Sequence, residues 1–257
     1  MRRVPLTVRA RVLVRSLLIQ ASWNPRTMVG HGFAFALEPV LRWCHGPDGD
    51  DAATVRHLEP FNTHPYLATM GLGAVARMEV DGRDTDRIRR FKTAVRGPLG
   101  AIGDNLVWVG WVPALSLAAL VLVVLDVPGL VVVPIFLVVY NAGHGFLRIW
   151  GWSAGYAKGE GVAQAIRDAG LQKKAQRLTR VGGLLIGCLM GVVLSATWGV
   201  GAGSPWDATP LWALGAGAVL FLAGNRARRR GWRPSLSLTA AVIGAIALVG
   251  TVLGGGT

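Results

Sequence analysis

Two short polar stretches stand out in an otherwise apolar chain, because each groups several hydrogen-bonding side chains. Asn62-Thr63-His64 supplies an amide, a hydroxyl and an imidazole, and Asp104-Asn105 supplies a carboxylate and an amide. A polyhydroxylated ligand needs several such donors and acceptors together with an aromatic face. The aromatic residues that lie near these stretches in the sequence are Trp23, Phe61, Tyr66 and Trp108. The pattern favours binding of a polar solute over acid–base catalysis.

Simpler structural roles are open for the same residues. Asn62 and Thr63 are typical helix caps, and His64 precedes a proline, where it can fill an extended turn. The eight residues 97–104 include three glycines and a proline and end in Asp104. Because proline removes a backbone donor and glycine loosens a helix, we predict a structural turn there, formed by Gly97, Pro98, Gly100 and Gly103. Asp104 then either faces the solute or caps the following helix.

The sequence has no motif for catalysis or for metal binding. It lacks a P-loop and a nucleophile elbow. Its two cysteines, Cys44 and Cys188, and its five histidines show no spacing typical of metal ligands. We therefore predict that the protein is not an enzyme and that it uses neither a metal nor a cofactor.

The distribution of charge indicates a membrane protein rather than a nucleic-acid-binding one. The net charge is +13, yet 52% of the residues are hydrophobic, and no Lys or Arg lies within 97–147, 181–225 or 234–257. A membrane crossing needs about 20 apolar helical residues. We predict five transmembrane helices, near 105–125, 128–147, 182–203, 210–224 and 235–254.

The basic segments set the orientation of these helices. Residues 83–96, 148–180 and 226–233 are rich in Lys and Arg, and such segments remain in the cytoplasm. The loops between them that lack basic residues then face outward. This alternation places the N-terminus in the cytoplasm and the C-terminus outside.

The N-terminal part has shorter or interrupted apolar stretches. Residues 5–22 fit an amphipathic helix that lies on the membrane, and residues 26–44, interrupted by Glu38-Pro39, fit a shallow or re-entrant helix. We therefore predict an all-α integral membrane protein. Residues 1–96 form an amphipathic and re-entrant region, largely on the cytoplasmic side. Residues 97–257 form a transmembrane region with a cytoplasmic connection at 148–181.

Five motifs occur in the same order as in a known family. They are Arg15-Ser16-x-x-x-Gln20-x-Ser22-Trp23-Asn24-x-x-x-Met28-x-x-x-Gly32-Phe33, Arg56-His57-Leu58-Glu59-x-Phe61-Asn62-Thr63-His64-Pro65-Tyr66, the run 97–104 followed by Trp108, Asn141-x6-Arg148, and Gly151-x-x-x-Gly155-Tyr156-x-Lys158-Gly159. Through nearly its whole length the chain resembles the IID component of the mannose/fructose/sorbose class of the bacterial phosphotransferase system. Each motif is weak alone, but five in order are specific.

The resemblance implies a sugar-translocating subunit of the bacterial cytoplasmic membrane. Such a subunit pairs with a IIC subunit in a hetero-oligomer that carries a hexose, while a separate cytoplasmic IIA/IIB protein phosphorylates the sugar. It has no phosphorylation site of its own and does not bind nucleic acid. The resemblance places Asn62, Thr63, His64 and Asp104 in contact with the substrate. The polar and aromatic side chains of Trp23, Asn24, Asn105 and Trp108 make them further candidates for the sugar pathway.

Departures from the family pattern motivate one alternative. Pro25 stands where an aromatic residue is usual, and Val112 and His144 each stand where an arginine is common. The loop at 201–209 is also shorter than usual. These changes leave open a membrane partner that regulates the phosphotransferase system without moving sugar.

The charge map makes a testable prediction of topology. A phosphatase reporter fused after Thr257 should be active outside the cytoplasm, because five crossings from an internal N-terminus end outside. A fusion after Lys174, in the basic cytoplasmic connection, is the control and should be inactive. An inactive C-terminal fusion would contradict five crossings.

Overall fold

The structure, a computed structural model, describes residues 3–46, 51–197 and 209–230. Within these ranges the chain is helical, with isolated backbone bridges as its only extended pairing. This confirms the predicted all-helical class. The helices are α1 (Leu6–Ser16), α2 (Gly30–His45), α3 (Asp51–His57), α4 (Ala68–Val80), α5 (Thr85–Asp104), a π-helical segment (Asn105–Trp111), α6 (Val112–Val124), α7 (Gly129–Lys158), a 3₁₀ turn (Gly159–Gly161), α8 (Val162–Asp168), α9 (Leu171–Thr197) and α10 (Thr209–Arg229).

The described residues divide into two compact units. The first contains the residues up to Gly110 together with Val138–Gln176, and the second contains Trp111–Leu137 and the described residues from Arg177 onward. The core of the first unit is built by α2 and α4. Their fully buried side chains include Phe33, Leu37, Leu41, Met70 and Leu72. Because α4 is buried around its whole circumference from Ala68 to Ala76, its neighbours are arranged around it.

Helix α2 continues through the expected interruption. Pro39 lies inside the helix, and the carboxylate of Glu38 pairs with Arg15 of α1 and with Arg42 one turn later. Proline removes one helical hydrogen bond, but Pro39 is itself buried. Tertiary packing of α2 therefore outweighs the local tendency of Glu38-Pro39 to break a helix.

Glycines allow α4 and α7 to approach each other closely. A Cβ at Gly73 of α4 would lie 2.8 Å from the backbone nitrogen of Tyr156, and a Cβ at Gly155 of α7 would lie 3.0 Å from the nitrogen of Ala74. A Cβ at Gly151 would lie 2.7 Å from Oγ1 of Thr69. Real Cβ atoms do not come this close to backbone, so glycine is required at this crossing.

The predicted turn at residues 97–104 is wrong. The segment forms the last two turns of α5, with Pro98 inside the helix. None of Gly97, Gly100 and Gly103 has the positive φ that a glycine turn would use. The chain then continues through the π-helical segment into α6. The prediction failed because it read glycine as a sign of backbone flexibility, whereas Gly100 and Gly103 serve close packing, as described below.

Helix α1 leaves its predicted apolar face uncovered by the described chain. Val12 and Ser16 are buried, whereas Leu6, Val14 and Leu17 are 79%, 65% and 57% exposed. An apolar face next to arginines is typical of helices that lie in a membrane interface. The helix is shorter than predicted, because residues 17–22 form turns.

Two long, mostly helical runs of the described chain, Thr85–Val124 and Gly129–Val193, each include a stretch that is long and apolar enough to cross a membrane. They contain the predicted stretches 105–125 and 128–147 almost completely. Helix α10 covers 210–224, and 235–254 lies outside the described residues. The number of crossings and the orientation of the termini remain predictions.

Glycines also allow helices of the second unit to pack closely. A Cβ at Gly187 of α9 would lie 2.8 Å from the carbonyl oxygen of Gly217 in α10, and a Cβ at Gly183 would lie 2.7 Å from the ring of Phe221. Such small-residue contacts are typical of helix pairs in membranes, where close backbone approach replaces the hydrophobic driving force.

A buried carboxylate ties three helices of the first unit together, and a lysine links a fourth to them. Glu79 of α4 accepts hydrogen bonds at Oε1 from Nε of Arg56 (3.1 Å) and from Nε2 of His57 (2.9 Å), both in α3. His45 at the end of α2 lies 3.1 Å from Oε2. Lys92 of α5 donates to the carbonyl oxygen of Arg56 at 3.2 Å. A buried carboxylate needs such partners, because an unpaired buried charge is strongly destabilising.

The network keeps Glu79 ionised and His57 neutral near neutral pH. Burial opposes the charge of Glu79, but hydrogen bonds from His57 and Arg56 outweigh it and lower the pKa of Glu79 to about 2. Burial is also the main reason that the pKa of His57 is lowered to about 4. His57 is therefore neutral and donates its Nε2–H to the carboxylate.

We expect stability to fall as the pH is lowered from 6.5 to 4.5. In this window unfolded His57 takes up a proton that folded His57, with its lowered pKa, excludes, so protonation favours the unfolded state. The full difference corresponds to about 3 kcal/mol. His57→Gln, which keeps a donor near Glu79, should flatten the pH dependence of the unfolding temperature in detergent.

His31→Gln is the matched control, because His31 is exposed and its substitution should leave the pH dependence intact. An unchanged pH dependence in H57Q would contradict the assignment to His57.

Candidate functional site

Backbone bridges hold the loop that carries the Asn-Thr-His stretch. The N–H of Val29 donates to the carbonyl oxygen of Phe61 at 3.0 Å, and the N–H of Phe61 donates to that of Thr27 at 3.2 Å. Asn24 fixes the partner loop, because its Oδ1 accepts from the N–H of Thr27 (2.9 Å) and its Nδ2 donates to the Thr27 hydroxyl (2.7 Å). The side chain of Asn24, a predicted pathway residue, is thus engaged within its own turn.

Two sequence-distant motifs meet where α5 packs against this loop. A Cβ at Gly103 would overlap the Cβ of His64 and lie 2.6 Å from its Cγ, and a Cβ at Gly100 would lie 3.9 Å from Cα of Thr63. The glycines that suggested a turn therefore form a flat helix face on which Thr63 and His64 rest. The last turns of α5 and the loop at 61–67 form one structural element.

His64 presents a buried donor that has no partner among the described residues. Its ring is 1% exposed, and Nδ1 accepts a hydrogen bond from the N–H of Tyr66 at 3.2 Å. Burial, followed by the charge of Arg148, lowers the pKa of His64 to about 4. The neutral ring therefore carries its proton on Nε2, and this atom makes no hydrogen bond. An unpaired buried donor is costly unless a ligand or water meets it.

Aromatic side chains surround this imidazole. Its ring centroid lies 5.0 Å from that of Tyr66, edge to face, and 5.4 Å from that of Trp108. Trp108, a predicted pathway residue, is 50% exposed and comes from the π-helical segment. One side of Trp108 therefore contacts His64 while another part of the ring is open, as an aromatic platform for a sugar requires.

A cluster of polar side chains on α7 contacts Tyr66. The ring of His144 stacks on that of Tyr66 at 4.0 Å, and the hydroxyl of Tyr140 hydrogen-bonds that of Tyr66. Arg148 donates from Nε to Nε2 of His144 at 2.6 Å and from Nη1 to the carbonyl oxygen and the hydroxyl of Ser16 at 2.7 and 2.9 Å. Arg148 is buried, so it links α1 to the loop rather than anchoring α7 at the surface.

Sequence reasoning did not assign a joint role to Tyr140, His144 and Arg148. Their spacing of four residues places them on one face of a helix, and this signal was present in the sequence. Tyr66 was considered only for stacking on a sugar. Its position, between His144 and His64, depends on the packing of three separate segments and has no local signature.

The remaining predicted residues are exposed. Asn62 and Asp104 are both solvent-accessible, and Asp104 makes no hydrogen bond to Thr63 or His64 in the described structure. Asn105 donates to the carbonyl oxygen of Ala101 at 2.9 Å, and Trp23 is 53% exposed. The structure thus unites Thr63, His64 and Trp108 by direct contact and leaves the others at the surface.

The helix-capping roles considered for three of these residues are wrong. Helix α4 begins at Ala68 without a side-chain cap, and the hydroxyl of Thr63 donates weakly to the carbonyl oxygen of His64 at 3.4 Å. Asp104 is the last residue of α5, and its helix continues into the π-helical segment, so it caps no helix. Thr63 is therefore buried by packing, and the side chains of Asn62 and Asp104 make no hydrogen bond to any residue that the structure describes.

Comparison with known proteins gives a consistent family match. The family described as PTS system mannose/fructose/sorbose family IID component matches residues 6–204. The mannose-specific EIID component of Escherichia coli K12 is 31% identical over 187 residues, which cover 70% of this chain and 65% of that protein. The fructose permease IID component of Bacillus subtilis 168 is 27% identical over 186 residues, which cover 70% of this chain and 66% of that protein. The matched stretch thus spans about two-thirds of the length of these relatives.

Solved structures share the fold over nearly the whole chain. A chain of the cryo-EM structure of the mannose transporter ManYZ in complex with microcin E492 is 25% identical, with a TM-score of 0.55, and the match covers 96% of this chain and 97% of that one. A second structure, described as a membrane protein, has a TM-score of 0.66 over 98% of both chains at 23% identity. The second similarity supports the fold alone.

The packing of α5 on the loop can be tested with two glycines of one helix. Gly103→Ala should lower the free energy of unfolding by about 1–3 kcal/mol, because its methyl group collides with His64. Gly97→Ala, which meets no atom within 4 Å, should stabilise the helix by about 0.5–1 kcal/mol. Thermal or denaturant unfolding in detergent measures both. Destabilisation by G97A would contradict the helical assignment and support the predicted turn at residues 97–104.

Proposed function

Because the chain belongs to the mannose/fructose/sorbose family of IID components of the phosphotransferase system, we propose that it is a permease subunit that forms a hexose pathway together with a IIC subunit. The family consists of membrane transport components, and two helical runs of the described chain are long and apolar enough to cross a membrane. The proposed location is the bacterial cytoplasmic membrane, which the chain crosses several times.

The observation that carries the proposal is the buried, unpaired Nε2–H of His64 next to the half-exposed ring of Trp108. A sugar offers hydroxyl oxygens that accept such a donor and an apolar ring face that stacks on indole. The two features occur in contact, with ring centroids 5.4 Å apart. We assign His64 as a donor to a sugar hydroxyl and Trp108 as the stacking platform.

The exposed polar side chains fit a supporting role in this pathway. Asn62 directly precedes Thr63 and His64, and Asp104 directly follows the glycine that packs on His64, so both lie at the border of the same element. We assign Asn62 and Asp104 to contacts with sugar hydroxyls. Thr63 is buried and positions the loop. Trp23 and Asn105 are exposed candidates for the pathway.

The phosphoryl transfer is assigned to partner proteins. We propose that a cytoplasmic IIA/IIB protein phosphorylates the hexose after its passage and that the IID and IIC subunits form a hetero-oligomer. The support is the family membership together with the absence of a catalytic motif from the sequence. On this view the chain contributes binding and orientation of the sugar but no covalent chemistry.

The proposal predicts loss of uptake on substitution of the assigned residues. Asn62→Ala, Asp104→Ala and His64→Leu should each reduce hexose uptake by about tenfold or more, because each removes a hydrogen bond to the sugar worth about 1.4 kcal/mol. The measurement is uptake of labelled hexose in a strain that lacks the chain and is complemented together with its IIC partner.

Asp86→Ala is the control, since Asp86 is an exposed acid at the other end of α5 and its loss should leave uptake unchanged. Wild-type uptake in all three site variants would refute the site. A strain in which hexose uptake does not depend on the chain at all would favour the regulatory role.

A further inference from the structure

One motif of the sequence is not used by the proposed sugar site. In Gly155-Tyr156-x-Lys158-Gly159, the first glycine serves the close crossing of α7 with α4, and Tyr156 stacks on Trp152 with ring centroids 6.0 Å apart. The crossing therefore fixes the end of α7 against the end of α4. Lys158 and Gly159 lie beyond the crossing, where packing alone does not require a lysine.

A polar cavity of about 340 Å³ lies at this junction. It is bounded by the end of α4, the beginning of α5 and the turn that follows α7. Its charged lining residues are Arg77, Arg83, Arg87, Lys158, Asp81 and Glu160. Four cations and two carboxylates leave a formal excess of two positive charges. The volume is in the range of small-molecule sites.

The carboxylate of Glu160 contacts Arg83 and Arg87 through their Nε atoms. Nε of Arg87 lies 2.9 Å from Glu160, and Nε of Arg83 lies 3.6 Å from the same carboxylate. Asp81 accepts from Nε of Arg77 in the same way. Within the described chain, the terminal Nη groups of Arg83 and Arg87 make no hydrogen bond. A guanidinium fixed through Nε presents its remaining N–H groups in a planar fork.

Lys158 is the fourth cationic residue that lines the cavity. It is exposed, and it has no hydrogen-bond or ion-pair partner among the residues that the structure describes. Gly159 follows it with a φ of +52°, a conformation that favours glycine. A Cβ at this position would also approach Cγ of Arg77 to 3.3 Å. The turn at Gly159 thus brings Lys158 and Glu160 to the cavity beside Arg77.

From this geometry we propose that the cavity binds the phosphate group of a phosphate monoester. Arginine forks and a lysine ammonium are the side chains that recognise phosphate oxygens. The excess of two positive charges matches a monoester, which carries about −1.5 to −2 at neutral pH. The cavity is distinct from the sugar site, since Arg77 follows the start of α4 by nine residues, or roughly 14 Å. The proposal does not depend on the transport role.

A soluble sugar phosphate and the headgroup of phosphatidic acid share this chemistry, because both are phosphate monoesters. Lys158 follows Ile149, the last large exposed apolar residue of α7, by nine residues, or roughly 14 Å of helix. This distance exceeds the thickness of one headgroup layer, which is about 5–8 Å. The position therefore favours the soluble source.

The test uses the full chain in phosphatidylcholine nanodiscs at constant ionic strength. Titration with glucose 6-phosphate and with inorganic phosphate, followed by isothermal calorimetry, should show saturable binding, whereas acetate should show none. Lys158→Ala should weaken binding by about tenfold, because it removes a charged hydrogen-bond donor. Lys174→Ala, which removes an exposed lysine of α9 outside the cavity, should have no effect.

A second arm identifies the source of the phosphate. In nanodiscs that contain phosphatidic acid, lipid that co-purifies with the protein is counted by native mass spectrometry. Loss of one bound lipid in K158A, without binding of the soluble esters, would place the phosphate on a lipid. Absence of Lys158-dependent binding in both arms would overturn the proposal. So would an effect of K158A that is confined to phosphoryl transfer from a partner protein.

Discussion

Helices α4 and α7 cross so closely that only glycine fits at their contact, and the features of the first unit depend on this crossing. Gly73, Gly151 and Gly155 let backbone meet backbone. On one side of the crossing, α7 presents His144 and Arg148 to Tyr66. On the other side, α4 and α7 end together at the basic cavity. A side chain at the crossing would separate the helices and disturb both regions at once.

Buried polar groups make this arrangement specific. Glu79 joins α2, α3 and α4, and Arg148 joins α1, α7 and the loop at 61–67. Apolar packing alone tolerates sliding, whereas a buried charge that loses its partners is penalised by several kcal/mol. The two networks therefore restrict how these helices can slide or rotate, and the loop that carries His64 is held from two directions.

The sequence predicts the helical class, the apolar stretches and the polar residues of the site, because these follow from composition and local pattern. It mispredicts residues 97–104. Glycine and proline there suggest a turn, but the glycines are needed for contact with His64, which is distant in sequence. The same limit applies to Tyr66 and Ser16, since their partners come from α7. The cluster of Tyr140, His144 and Arg148 was predictable from its helical spacing, although its target was not.

The positive charge of the buried Arg148 is balanced in an unusual way. In the described structure it has no carboxylate partner, and its Nη1 instead meets the carbonyl oxygen of Ser16, the last residue of α1. The C-terminal end of a helix carries about half a negative charge from its aligned peptide dipoles. Unlike a carboxylate, this partner cannot take up a proton. The hydrogen bonds from Arg148 of α7 to Ser16 of α1 therefore do not depend on the ionisation of an aspartate or glutamate.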